Sequence, residues 1–188
     1  TSIFLPLIPL IKKNLIKIDN VIIDSKSGYS GAGRSVHNKF KYKNLYESLS
    51  AYGVGFHRHN SEIRQELESF TKKNFKFIFT PHLVPMFRGI LSTIYLDLNK
   101  GIDIKMLVKA LNKEYLKSKF VKILKQNTLL STNEVMNTNN CHISVCKTEY
   151  KDKVIVLSAI DNLLKGGAGQ AIQNMNLKFN FPENKGLK

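Results

Sequence analysis

Apolar residues fill nearly every position from Ile3 to Ile11 before Lys12 and Lys13 interrupt them, and this predicts a buried helix over residues 2–14. Pro6 and Pro9 fit only if its first turns are irregular, because each lacks an amide donor. Val21, Ile22 and Ile23 run into Asp24 and predict a short buried strand, and the Gly- and Ser-rich residues 25–35 predict a loop. Residues 39–52 have no clean period and read as mostly loop, with a short helix near Leu45. Ile63, Leu67 and Phe70 recur at helical spacing, which predicts a helix over residues 61–70 with Asn60 as its N-cap.

Farther along, the pattern favours strands. Phe75-Lys76-Phe77-Ile78-Phe79 predicts one, residues 80–85 a proline-bounded turn, and residues 88–99 a long central strand. Asp103 is placed to cap a helix that carries Met106, Leu107, Ala110, Leu111 and Tyr115 on one face. Residues 120–124, 141–146 and 153–159 complete the strands, and residues 168–177 form a last helix. Elements interspersed without strict alternation predict an α+β or mixed α/β domain, a mixed sheet with helices packed on it.

A chain of 188 residues with 43% hydrophobic content can bury a real core, which excludes disordered and fibrous classes. The net charge of +15 would suit a nucleic acid or a membrane surface. The lysines, however, are spread along the chain as the solvated edges of apolar elements, so neither partner is expected. The apolar N-terminal run precedes its lysines, the reverse of a signal peptide, and is too short to span a bilayer. Thr1-Ser2 at the head of a helix reads as a cut through a longer chain. Cys141 and Cys146 lie an odd number of residues apart on an alternating segment and face opposite ways. They read as small buried thiols in a reducing, cytoplasmic compartment.

Three stretches carry chemistry. In residues 161–174 an apolar strand enters a loop with Gly166, Gly167, Ala168 and Gly169 beside Asn162, Lys165 and Gln170. Such a loop suits close approach of an anion or an amide-bearing cofactor at a helix N-terminus, or simply a tight strand-to-helix turn. The loop after Asp24 fails the dinucleotide fingerprint at Val36 and puts Arg34 where a phosphate loop needs lysine. It remains a set of Lys26, Ser27, Ser30 and Arg34 suited to a carboxylate, or a plain surface turn. His57-Arg58-His59, with Glu62 beyond, reads as a general base held by a carboxylate. Metal ligation with His82 and two structural histidines are the alternatives. Pro81 and Pro85 would hold His82 and Arg88 at low entropic cost, for a site or for a fold corner.

Together these segments, with residues 24–34, Glu62, Ile63, Gln65, residues 80–89 and 158–177, resemble the N-acetyl-γ-glutamyl-phosphate reductase family, in the family's order and over nearly the whole chain. The family is related to aspartate-semialdehyde dehydrogenase and the phosphorylating glyceraldehyde-phosphate dehydrogenases. The resemblance implies a glyceraldehyde-3-phosphate dehydrogenase C-terminal-like domain. Residues 1–20 would follow the nucleophile, residues 21–160 form the catalytic and dimerisation domain, and residues 161–188 return to an N-terminal Rossmann domain outside this sequence. It implies a cysteine, just before a pair like Thr1-Ser2, that attacks an acyl phosphate, and NADPH that reduces the resulting thioester to N-acetylglutamate 5-semialdehyde.

By the same resemblance His59, or His57, is the acid/base, with Glu62 tuning it. Lys26, Ser27, Arg34 and Tyr52 grip substrate, with His82 and Arg88 beside them. Asn162, Lys165, Gly166 and Gln170 face the NADP(H) nicotinamide, no metal is used, and a homo-oligomer, dimer or tetramer, is expected. Ser61 and Phe87 depart from the family's usual proline and polar residue. Aminoadipyl-phosphate reductases share much of the pattern, and a non-catalytic basic assembly module is the reading from another class.

Overall fold

Helix α1 (Phe4–Lys12) buries Leu7, Leu10 and Ile11 against the sheet despite two prolines. Pro6 lies in the first turn, where an amide donor is not needed. Pro9 leaves the carbonyl of Leu5 without its i→i−4 donor, and the hydroxyl of Tyr115 donates to that carbonyl at 2.6 Å. Burial pushes the Tyr115 phenol well above its ordinary value, so it stays protonated and donating. Tyr115→Phe is expected to cost about 1–2 kcal/mol, the price of an orphaned carbonyl. An unchanged urea midpoint would refute this account of Pro9.

The computed structural model describes residues 1–32 and 47–188. Its strands are β1 (Val21–Gly28), β2 (Ser50–Ala51), β3 (Phe77–Val84), β4 (Ile90–Asp97), β5 (Val121–Ile123), β6 (Cys141–Lys147) and β7 (Lys153–Ile160). They form one mixed sheet in the order β2-β3-β1-β4-β7-β6-β5, with β1 parallel to β3, β5 parallel to β6, and the other pairs antiparallel. The predicted central strand is β4, at the middle of the sheet. Helices α1, α2 (His59–Thr71) and α3 (Ile104–Tyr115) pack with one face of it around Leu7, Ile23, Leu67, Ile94, Leu107 and Val156. Asp103 caps α3 as expected, accepting from the Met106 amide at 2.9 Å; Met106 itself, however, is 43% exposed. Helix α4 (Gly169–Lys178) follows β7 through a π-type turn at Leu164–Ala168.

Three local expectations give way to tertiary pairing. Residues 25–28 extend β1 instead of starting a loop, because β3 and β4 pair with them on both sides. Residues 80–84 belong to β3 and are not a turn. Pro81 is tolerated because the carbonyl on its β2 side accepts from Tyr52 N, so its missing donor faces the same short edge strand. Asn60 lies inside α2 and donates to the Gly55 carbonyl, so it is not the cap. The expected helix near Leu45 falls outside the described residues.

Candidate functional site

The head of α1 is pinned to the sheet centre by hydroxyls. Ser92 Oγ of β4 lies 2.9 Å from Ser2 Oγ and 2.8 Å from Ser25 Oγ, all three buried. The buried nitrogen of Thr1 lies within electrostatic reach of Cys141, Glu62 and Lys165, and His59 lies within reach of it. The histidine end of α2 and the residue-165 turn therefore both lie near the head of α1.

The two histidines differ in kind. His57 Nδ1 accepts the His59 backbone N–H at 3.2 Å, so its ring proton sits on Nε2 and its ring serves the open end of α2. The ring is wedged edge-on between Tyr52, Phe79 and His59, at centroid distances of 5.4, 5.4 and 4.8 Å. Burial, then His59 and Arg58, lower its pKa. His59 is the more exposed ring, at the first position of α2 and not on a strand. Desolvation lowers it, the Glu62 carboxylate opposes that, and Arg58 adds to the lowering. Glu62 acts through its charge, as no hydrogen bond joins it to His59 among the described residues.

The turn after β7 is organised by Asp161, a residue that sequence reasoning passed over. Its buried carboxylate accepts from Leu163 N at 2.8 Å, Leu164 N at 3.0 Å and Asn137 N at 2.9 Å, with Arg88 Nη1 at 3.4 Å. Burial pushes its pKa up, but these four donors outweigh that and hold it below the ordinary carboxylate value. The glycine-loop N–H groups expected to receive a ligand serve backbone carbonyls instead: Gly166 N donates to Asp161 O and Ala168 N to Leu163 O, both at 2.9 Å, and Gly169 N donates to Leu164 O. Asn162 Oδ1 accepts from Gly89 N at 2.7 Å, and its Nδ2 donates to Ser30 Oγ at 2.9 Å, tying the ends of β1, β4 and β7 together. Gly89 is required there: its φ is +108°, and a Cβ would lie 2.7 Å from Thr132. Gly169 meets the packing reading, since a Cβ on it would lie 2.5 Å from Asn139 Oδ1.

Other candidates are sorted by the pleat. Ser27 Oγ and Asn162 Nδ2 both border Gly31, within 3.3 Å of where its Cβ would lie. Lys26, one residue away, projects to the opposite face with Asp24 (2.6 Å), which also pairs with His82 Nδ1 (3.1 Å). Lys26 and Ser27 therefore cannot grip one group, and His82 stands apart from the other histidines. No cluster of three His, Cys, Asp or Glu able to hold a metal occurs among the described residues. Arg34 lies outside those residues. Lys165 is buried, donates to Gln173 Oε1 at 2.6 Å and lies over the Phe120 ring; burial lowers its pKa, against Cys141 and Glu183. Gln170 pairs with Asn174, while Gly166, Gly167 and Ala168 are exposed. Ser92 and Asp161 could have been found from one signal, a polar residue at an inward strand position or directly at its end.

Residues 1–162 match the sequence model of the semialdehyde dehydrogenase, dimerisation domain family. A probable N-acetyl-gamma-glutamyl-phosphate reductase, chloroplastic, of Arabidopsis thaliana is 44% identical over 187 residues, covering 100% of this chain and 47% of that protein. N-acetyl-gamma-glutamyl-phosphate reductases of Vesicomyosocius okutanii and Clostridium novyi are 46% and 45% identical, each over 100% of this chain and 54% of their own length. The chain spans about half the length of the curated relatives it matches. Aspartate semialdehyde dehydrogenase II of Vibrio cholerae superposes with a TM-score of 0.75 at 14% identity, over 95% of this chain and 59% of that one. The enzyme of Francisella tularensis gives 0.71 at 14%, over 94% and 61%. These likenesses bear out the mixed α+β sheet fold, and the chain belongs to the semialdehyde dehydrogenase dimerisation-domain family.

Proposed function

We propose that this chain is the catalytic and dimerisation half of an NADPH-dependent reductase that converts N-acetyl-γ-glutamyl phosphate into N-acetylglutamate 5-semialdehyde for arginine synthesis in a reducing compartment. One observation carries the reading: His59 and Glu62 at the start of α2 and Lys165 in the turn after β7 all lie near the head of α1. In the proposed division, residues 1–20 follow the nucleophile, residues 21–160 are the catalytic and dimerisation body, and residues 161–188 return to a dinucleotide-binding domain.

The nucleophile is proposed to be a thiol upstream of Thr1, which displaces phosphate from the acyl group to leave a thioester. Neither cysteine here can replace it. Cys141 is fully buried, with burial pushing its thiol up to about 11, and Cys146 lies on the opposite face of β6. The chain alone is therefore expected to be inactive.

His59 is positioned to hold and return the proton of the reacting oxygen. His57, its Nδ1 committed to the α2 backbone, orients His59 and takes no proton at that nitrogen. Tyr52, Ser27 and Arg34 are the proposed substrate contacts, and Arg88 contributes by locking Asp161. Exposed Gly166, Gly167 and Ala168 fit a flat amide-bearing ring, with Asn162 as a rigid wall whose amide is already satisfied. A bound nicotinamide cofactor would supply the reducing equivalents there.

A homo-oligomer is proposed through the sheet face opposite the helices, where Ile22, Ile78 and Tyr95 stand 38%, 60% and 41% exposed. Sedimentation of the whole protein as a single copy would remove this part.

The test is phosphate-dependent reduction of NADP by the whole protein, with N-acetylglutamate 5-semialdehyde against the aminoadipate and aspartate semialdehydes. Preference for the first is expected; preference for another would reassign the substrate, and no turnover of any would leave the assembly-module reading. Glu62→Gln removes the charge that raises His59, so the acid limb of the pH–rate profile is expected to move to lower pH. A shift to higher pH would reject Glu62 as the tuning group.

A further inference from the structure

We propose that the cleft between the C-terminal ends of α1 and α2 binds a small organic anion, a carboxylate or phosphate on an apolar body, at the end of the domain remote from His59. The cleft encloses about 450 Å³, within the usual span of small-ligand sites. Ile16, Ile18 and Phe70 give it apolar lining, and Lys12, Lys17 and Lys73 supply three positive charges. Asp19 is the one carboxylate in the lining. Asp97, which stands near Lys17, is already taken by Lys153 Nζ and Asn20 Nδ2. Lys17 and Lys73 are in no ion pair among the described residues, and Lys12 rests 4.8 Å over the Phe70 ring. A smaller adjoining cleft shares Lys17 and adds Lys100 and Lys151, with Asp152 opposing, so the positive rim continues.

Two helix C-termini would ordinarily favour a cation here. The end carbonyls of α1 are largely used, since the Lys13, Asn14 and Leu15 amides donate to Pro9, Ile11 and Leu10, and in α2 the Lys72 amide donates to Glu68. Three full ammonium charges over an apolar floor outweigh the partial charge left on the helix ends, which is the chemistry of an amphipathic anion.

The placement also gives the cleft leverage. At one end Glu62 of α2 is close enough to act on Thr1, and at the other Lys12 of α1 stacks on Phe70 of α2, so the two helices run side by side in parallel. A guest would wedge the far ends of the two helices that form the head-of-α1 site, about 15 Å away along the nine-residue α1. The binding claim itself is independent of the proposed reaction.

Anilinonaphthalene sulfonate, an aromatic anion, serves as probe in a fluorescence titration of the full 188-residue chain. Saturable binding is expected, weakened about tenfold or more by Lys17→Glu with Lys73→Glu. Lys109→Glu with Lys122→Glu, which changes the net charge equally elsewhere, is expected to leave it unchanged. The milder Lys17→Gln with Lys73→Gln pair is expected to weaken binding with an unaltered melting curve, which separates loss of the site from loss of folding. Absence of saturable binding, or equal weakening by both glutamate pairs, overturns the proposal. Loss of binding in Ile78→Asp, on the open sheet face, with the cleft variants unaffected, overturns it as well.

Discussion

His59→Asn in the whole protein is expected to slow reduction by about two to four powers of ten, the usual share of a general acid/base, with little change in stability. The side chain is exposed at the first position of α2, and its ring contact is with His57, at a centroid distance of 4.8 Å. His57 provides the contrast. Its Nδ1 accepts the His59 backbone N–H, a role that an asparagine carbonyl can take over, so His57→Asn is expected to cost less than about tenfold in kcat. Its loss should appear instead as a lower melting temperature, because its ring contacts with Tyr52 and Phe79 disappear. If His57→Asn were the slower of the two, the roles would be exchanged. A near-normal rate for both would remove the acid/base assignment altogether.

Asp161→Ala is expected to destabilise the domain by about 3–5 kcal/mol, the scale for removing one member of a buried charged set. The substitution strands the Leu163, Leu164 and Asn137 amides and the Arg88 guanidinium at once. It also releases the turn that carries Asn162 and Lys165, so activity of the whole protein should fall together with stability. The pH dependence has a definite sign. The native pKa of Asp161 is depressed below the ordinary 3.8, so its contribution is complete above that value. It is lost as pH falls through the lower native pKa, and the urea midpoint of Asp161→Ala should therefore fall less steeply with decreasing pH than that of the wild type. Urea titrations that place wild type and variant at the same midpoint would show that the carboxylate does not organise the turn.

Much of the fold could be read from spacing because period and capping are local. The helices at 4–12 and 104–115, the central strand and the strands after residue 120 lie within a few residues of expectation. Asp103 caps its helix by the geometry its spacing implies. The errors gather between residues 25 and 28 and between 80 and 84, where Gly, Ser and Pro signal turns. There β1 lies between two partners, and its ladders outweigh the local preference.

The candidate site was legible as residue types but not as geometry. His57 and His59 look equivalent in the chain, and only the cap at the start of α2 makes one an acceptor from the backbone and leaves the other free. Lys26 and Ser27 look like one cationic grip, and the pleat of β1 sends them to opposite faces. The glycine turn looks like an anion receptor, yet the amides of Gly166, Ala168 and Gly169 already donate to the carbonyls of Asp161, Leu163 and Leu164.

By itself the sequence determined the periods, the caps, the mixed class of the fold and the family to which the chain belongs, because all of these are encoded in neighbouring residues or in ordered motifs. Only the tertiary structure decided which strand ends meet, which donors are already spent and which histidine stays free, because those depend on groups up to 132 residues apart brought within about 3 Å of one another.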